Sequence, residues 1–142
     1  MVWTGVSVLK KLLLSLILIT KLFADDIHIE KSIYEKIFSA LVTTEKPLIY
    51  SDESILSLGL RPADFTQVNE CHEAEIVVMT HSSVPEYCRS KIVFGTRYRH
   101  LEVDYILGAF FWQKGRPNLL FLQEKLDEHN IVLRDSLEEY VE

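Results

Sequence analysis

Basic residues are scarce in this chain of 142, where 15 lysines and arginines stand against 21 aspartates and glutamates for a formal charge of −6. Three of the lysines, Lys10, Lys11 and Lys21, fall in the first 24 residues. The remainder therefore carries 12 basic residues against 21 acidic ones, a formal −9. That balance argues against general nucleic-acid binding, which needs basic surface to neutralise phosphates. Cysteine is limited to Cys71 and Cys88, with no CxxC pair and no evident base beside either, so a reactive thiol has little support. No GxSxG, no glycine-rich phosphate loop and no HExxH occurs, and a hydrolase or nucleotide enzyme lacks its chemistry. Internal repeats, low-complexity runs and linkers are absent too, which leaves one domain over residues 25–142.

What is present begins with a leader. Residues 1–24, MVWTGVSVLKKLLLSLILITKLFA, have the form of a secretory signal: Lys10 and Lys11, an apolar run from Leu12 to Ile19, then Ala24 before two aspartates. Cleavage is expected after Ala24. A retained anchor is the competing reading, but the uninterrupted apolar core is far shorter than the ~20 residues of a spanning helix. In an exported chain two cysteines are read as a Cys71–Cys88 disulfide. His72 and His81 nearby raise a Cys2His2 metal site as the alternative, although the spacing matches no zinc pattern.

The densest apolar signal outside the leader is YILGAFFWQKGRPNLLFLQ, residues 105–123, which reads as a buried β-hairpin. Ile106, Gly108, Phe110 and Trp112 would share one face of its first strand, and Leu107, Ala109 and Phe111 the other. Both faces are apolar, so both should be covered. QKGRP supplies the reversal, with Gly115 suited to positive φ and Pro117 to the start of a strand.

The elements before the hairpin are those that cover it or pair with it. Residues 27–42 place Ile29, Ile33, Ile37 and Leu41 four apart, with Tyr34 and Phe38 beside them, as one stripe of an amphipathic helix. Leu48 to Tyr50 fits a short buried strand, and Ser51 and Asp52 look like N-cap chemistry for a helix over 53–58. Residues 65–68 fit an edge strand. EIVVMT at 75–80 and KIVFG at 91–95 are β-branched runs without alternation, which suit central strands of a parallel or mixed sheet. A helical turn separates them, and a polar loop over 96–104 follows. Beyond the hairpin come a helix over 124–129, Asn130 as a left-handed stop, an extended piece over 131–133 and a last turn capped by Asp135 or Ser136. The pattern predicts a single-domain α/β fold, a layered mixed sheet with helices on both faces.

The order of features in GAFFWQKGRPNLLFLQEKLDEHNIVL resembles the C-terminal half of the YfiR-like family of periplasmic proteins. Gly108, Gly115, Arg116 and Phe121 sit in the places of that family's late hairpin, with Leu133 and Leu137 in its tail. Cys71 before EIVVMT and KIVFG before the long loop are looser matches. The aromatic-Pro segment that usually follows the family's first helix is missing. The resemblance implies a periplasmic regulator, without a cofactor, that binds an inner-membrane signalling protein such as a diguanylate cyclase and is released when an outer-membrane partner captures it. Such a role needs a surface and a state that a signal can shift, and no catalytic residue.

Candidate site residues emerge from charge and position. Arg97, Arg99, Lys114 and Arg116 are basic side chains in an acidic chain, on two loops expected at one end of the sheet. They read either as solvated charge or as a site for an acidic partner or small anion, with Arg116 the strongest because guanidinium pairs bidentately with carboxylate or phosphate. Trp112 and Phe111 read as core, and as an interface anchor if exposed. His81 follows an expected strand, where open α/β sheets place their binding residues. A partner-binding regulator is thus weighed against a one-lobe relative of solute-binding proteins holding an anion, and against an enzyme using Cys88 or His81.

Overall fold

The computed structural model describes residues 30–53, 65–81 and 83–142. Its centre is a six-stranded sheet of order β2-β1-β3-β4-β5-β6, made of β1 (Leu48–Ser51), β2 (Thr66–Gln67), β3 (Ile76–Met79), β4 (Ile92–Gly95), β5 (Ile106–Gln113) and β6 (Arg116–Phe121). Five strands run parallel, and β6 alone is antiparallel, hydrogen-bonded to β5. The α/β mixed sheet expected from the sequence is therefore present, with β2 at one edge and the hairpin at the other. All four residues of β3 are buried, as a strand covered on both faces requires.

The connections from β2 to β3, β3 to β4 and β4 to β5 all step in one direction across the sheet. Right-handed crossovers that step the same way lie on the same face. Each carries only a 3-10 helical turn: Cys71–Glu73, Glu86–Cys88 and Tyr98–Glu102. They cover a cluster of Val77, Met79, Val93 and Ile106 with Cys71, Val84 and Cys88, against which Leu101, Val103 and Tyr105 are half-buried. Cys71 and Cys88 form a disulfide with Cα atoms 6.0 Å apart, inside the usual range for such a bond. His72 instead pairs with Glu70 at 3.0 Å, and among the described residues no group of histidines, cysteines and carboxylates is arranged to hold a metal ion.

The opposite face carries the α-helices. Helix α1, over 30–41, turns Tyr34, Ile37, Phe38 and Leu41 into the core, as its four-residue apolar spacing demands. The Tyr34 ring meets Phe110 edge-on at 5.3 Å, and the Trp112 indole N–H donates to the Glu30 carboxylate, so α1 is docked on β5 at both levels. Burial, aided by the Glu30 charge, pushes the Tyr34 phenol far above its ordinary value, and the ring stays neutral. Helix α2 (Gln123–Glu128) buries Leu126 and ends at Asn130, whose φ of 55° is left-handed as expected. The N–H of Ile131 returns to the Leu126 carbonyl at 2.9 Å and closes that end. Helix α3 (Asp135–Glu138) contributes Leu137, and Asp135 lies inside it while Arg134 takes the cap position. After it Val141 pairs with Phe121 in a parallel bridge that extends the edge of β6.

The hairpin differs from expectation in three details. Its loop is Lys114-Gly115 with φ of 52° and 74°, because a two-residue loop that matches strand twist needs positive φ at both positions. Pro117 is the second residue of β6 and sits opposite Trp112, a non-hydrogen-bonded pair whose donor would face the open edge. The third difference is a register shift: Val93 pairs with Ile106 but Phe94 pairs with Gly108, so β5 carries one extra residue. The shift puts Leu107 with Phe110 in the helix-side core and Ile106 in the other cluster, reversing the expected faces of that pair.

At Gly108 a Cβ would lie 2.4 Å from the Leu120 carbonyl oxygen and 3.1 Å from the Phe94 ring. Gly108→Ala is expected to destabilise the fold by about 1–3 kcal/mol, the usual cost of overpacking, measured as a lower denaturant midpoint at unchanged slope. Replacing Cys71 and Cys88 together by serine is expected to cost about 3 kcal/mol, since the crosslink no longer restricts the unfolded chain. Thermal melts with and without reductant read the same loss in the natural protein.

Candidate functional site

The outgoing connections of β1 and β3 leave for opposite sides of the sheet, since β1 leads to β2 and β3 leads to β4. In open α/β sheets such a switch point opens a crevice at the carboxyl ends of the strands, the usual place for binding residues. Here Asp52 and Glu53 follow β1, and Thr80 and His81 follow β3. The Asp52 carboxylate accepts from the Thr80 N–H at 3.0 Å, the Thr80 hydroxyl, the His81 N–H at 2.9 Å and His81 Nδ1 at 3.0 Å. Burial alone would raise the Asp52 carboxyl, but these donors and the nearby imidazole outweigh it and hold it below its ordinary 3.8.

With Nδ1–H given to Asp52, the His81 ring presents Nε2 outward, 3.6 Å from Glu53 Oε1, and the side chain is 62 % exposed. An acid-oriented imidazole of this kind is half of a nucleophilic site. What the described residues show is a tie: Asp52, after β1, holds Thr80 and His81, after β3, and so joins the ends of the two strands. Sequence alone marked His81 by its place after a strand, but it read Asp52 as a helix cap. The helix expected over 53–58 lies, except for Glu53, outside the described residues, as does the leader expected over 1–24.

The next strand end holds a buried histidine that sequence reasoning placed in a polar loop. His100 is 1 % exposed, in the 3-10 turn after β4, and its ring rests on Gly95, where a Cβ would come 2.6 Å from the His100 Cβ. Its Nδ1 accepts the Thr96 N–H at 3.0 Å, which puts the proton on Nε2, and Nε2 is buried without a partner among the described residues. The Thr96 hydroxyl in turn donates to the Met79 carbonyl at 3.0 Å. Burial first, then the charges of Arg99 and Arg97, hold the imidazole below its ordinary 6.5, against a smaller pull from Asp52.

Arg97 and Arg99 flank this histidine and are exposed, at the same end of the sheet as the hairpin tip. Gly95 pairs with Ala109, and β5 runs four residues further to Gln113, so the tip stands roughly 13 Å beyond the end of β4. The Tyr98 ring bridges part of that step by packing edge-on against Phe111 at 5.5 Å. Phe111 is core, while Tyr98 is 60 % and Trp112 36 % exposed. Lys114 and Arg116 line one cavity of about 430 Å³ at the tip with Gln113 and Asn118, and Arg97 and Arg99 lie outside it. Among the described residues no ion pair reaches any of these four cations. The four cations stand at one end of the sheet, with Tyr98 exposed on the face of Phe111 and Trp112 on the opposite face beside Phe110 and Glu30. No protein-family model matches the chain, and no curated protein matches it.

Stability should fall as pH drops below about 6.5, the ordinary histidine value, because the unfolded chain then takes up a proton at His100 that the folded chain resists. A second loss comes below 3.8, where unfolding lets Asp52 be protonated. His100→Gln, which cannot titrate, should flatten the first decline while leaving the second, in denaturant melts run across that range.

Proposed function

We propose that the chain is an exported, non-catalytic regulatory protein that acts in the periplasm by binding an inner-membrane signalling protein of the diguanylate cyclase or sensor-kinase type. The observation that carries this reading is four exposed cations, Arg97, Arg99, Lys114 and Arg116, at the end of the sheet that also exposes Tyr98 and Trp112, on a chain with excess negative charge. Arginine, tyrosine and tryptophan are the residues that most often anchor protein interfaces. Cations without ion partners attract an acidic surface and steer its approach. The Cys71–Cys88 disulfide supports an oxidising compartment outside the cytoplasm, and among the described residues no helix is long and apolar enough to cross a membrane. The leader-like segment over 1–24 and the resemblance to YfiR-like regulators point the same way. An outer-membrane partner that captures the protein fits the same reading.

A second reading rests on the cavity that Lys114 and Arg116 share. A small anion held there bidentately by Arg116 would make the protein a one-lobe solute binder.

Expression with the leader in place is expected to yield a mature N-terminus at Asp25 in the periplasm, read by mass spectrometry. Incubated with detergent-extracted inner membranes, that protein is expected to retain a signalling protein with a periplasmic domain. Charge reversal at Arg97 and Arg116 should reduce retention by about tenfold or more, as should raised salt, without lowering the melting temperature, since both side chains are exposed. Retention of no such protein, or equal retention by the reversed variant, defeats the proposal. Stabilisation by phosphate or sulfate that disappears in Arg116→Gln selects the second reading instead.

A further inference from the structure

A separate cavity of about 370 Å³ lies between α1 and α3 on the helix-bearing side of the hairpin. Ile33, Phe110, Leu119 and Leu137 give it an apolar lining, and Lys36 from α1 and Arg134 from the segment before α3 bring a cation from each wall. Among the lining residues whose side chains are described there is no aspartate or glutamate, although acidic side chains outnumber basic ones in the chain. Neither Lys36 nor Arg134 has an ion-pair partner among the described residues, and both are exposed. We infer that this cavity binds a small amphipathic carboxylate, whose apolar body lies on Phe110, Leu119 and Leu137 while its carboxylate is held between Lys36 and Arg134.

Charge and shape both select that occupant. A carboxylate meets two cations of which one, Arg134, offers a bidentate fork, and desolvation by the apolar lining strengthens the contact. The volume sits at the lower end of the roughly 300–1,000 Å³ range of ligand cavities, which fits a single ring or a short chain. The exposed edge of β6 raises an added peptide strand as the rival. That edge offers little to a strand: Pro117 has no N–H, and the outward Phe121 N–H is already taken by the Tyr140 carbonyl at 2.7 Å. Between them the alternation of the ladder leaves only Leu119 with an outward donor. The chain's own tail at Val141 blocks further extension.

Titration calorimetry of the purified protein with octanoate, 1-octanol and acetate tests the inference. Octanoate is expected to bind saturably, with 1-octanol and acetate each weaker by about tenfold or more, because one lacks the charge and the other the apolar body. The double variant Lys36→Gln, Arg134→Gln should lose about tenfold in octanoate affinity and keep its melting temperature. Ser39→Tyr, an exposed position on the cavity wall, should abolish binding by filling the space. Reversal at Arg97 and Arg116 should leave octanoate affinity unchanged, so failure of the hairpin-end cations and failure of the cavity are read separately. Equal binding of octanoate and 1-octanol, octanoate affinity unaltered in the double variant, or no saturable binding overturns the inference. So does a concentration-dependent dimer in sedimentation that Ser39→Tyr disperses, since a second copy would then be the occupant.

Discussion

The covalent link between Cys71 and Cys88 stands in for a layer of helix. A parallel sheet must be covered on both faces, and on the crossover face of this one the described covering consists of 3-10 turns of three to five residues. Turns so short bury little apolar surface and end in unpaired backbone groups, so packing alone holds them weakly. Joining the turn before β3 to the turn before β4 fixes both connections against the central strands at once. Val77, Met79 and Val93 then meet a covalently closed lid in place of a row of helices. A fold with one face finished in this way depends on the compartment that oxidises it.

On the other face, where the α-helices gather, the packing is set by elements from the two ends of the chain. Helix α1 comes before the first strand, and α2 and α3 come after the last, so none is bound by the short connections of the crossover face. They are free to gather over β5 and β6, where the hairpin supplies Phe110, Leu119 and Phe121. Because α1 and α3 arrive from opposite ends of the chain, no loop fixes their spacing, and the gap between them is the apolar cavity. The same hairpin overhangs the sheet at its far end, where it carries Trp112, Lys114 and Arg116 into solvent. One strand pair thus forms part of both features that could recognise another molecule.

Much of this was legible in residue order. EIVVMT and KIVFG declared two central strands because β-branched residues without alternation suit a sheet covered on both sides. Asn130 declared a helix stop, and the pair of cysteines declared a crosslink. What stayed hidden depended on partners distant in sequence. The extra residue at Leu107 answers the spacing of Phe94 and Gly108 across two strands, and no local pattern encodes it. Asp52 bonds to Thr80 and His81, 28 and 29 residues away, so its serine-aspartate setting looked like a local cap. His100 sat in a run of charged residues whose only sign of burial was Leu101 and Val103 nearby. The reason it is buried is a missing Cβ at Gly95, visible only once the turn is folded back over the strand.

Exposed cations beside aromatic or apolar surface mark the hairpin end of the sheet and the cavity mouth. Among the described residues only Lys31 and Lys125 of the lysines and arginines have a carboxylate partner, so an unpaired cation is common here and its neighbours, more than its lack of a partner, give it meaning. Lys125 and His81 have found such partners, at 3.2 Å and 3.0 Å. The cations at the hairpin end and at the cavity mouth have none among the described residues, and both groups lie beside exposed aromatic or apolar surface. A solvated surface charge contributes little to stability, so the fold gains almost nothing from keeping these positions basic. Folding energetics alone therefore does not account for them, and an acidic occupant at each place is what the two proposals supply. Cys71–Cys88 ties the crossover face together and the hairpin is buried between the two layers, so both basic regions are carried on one continuous sheet.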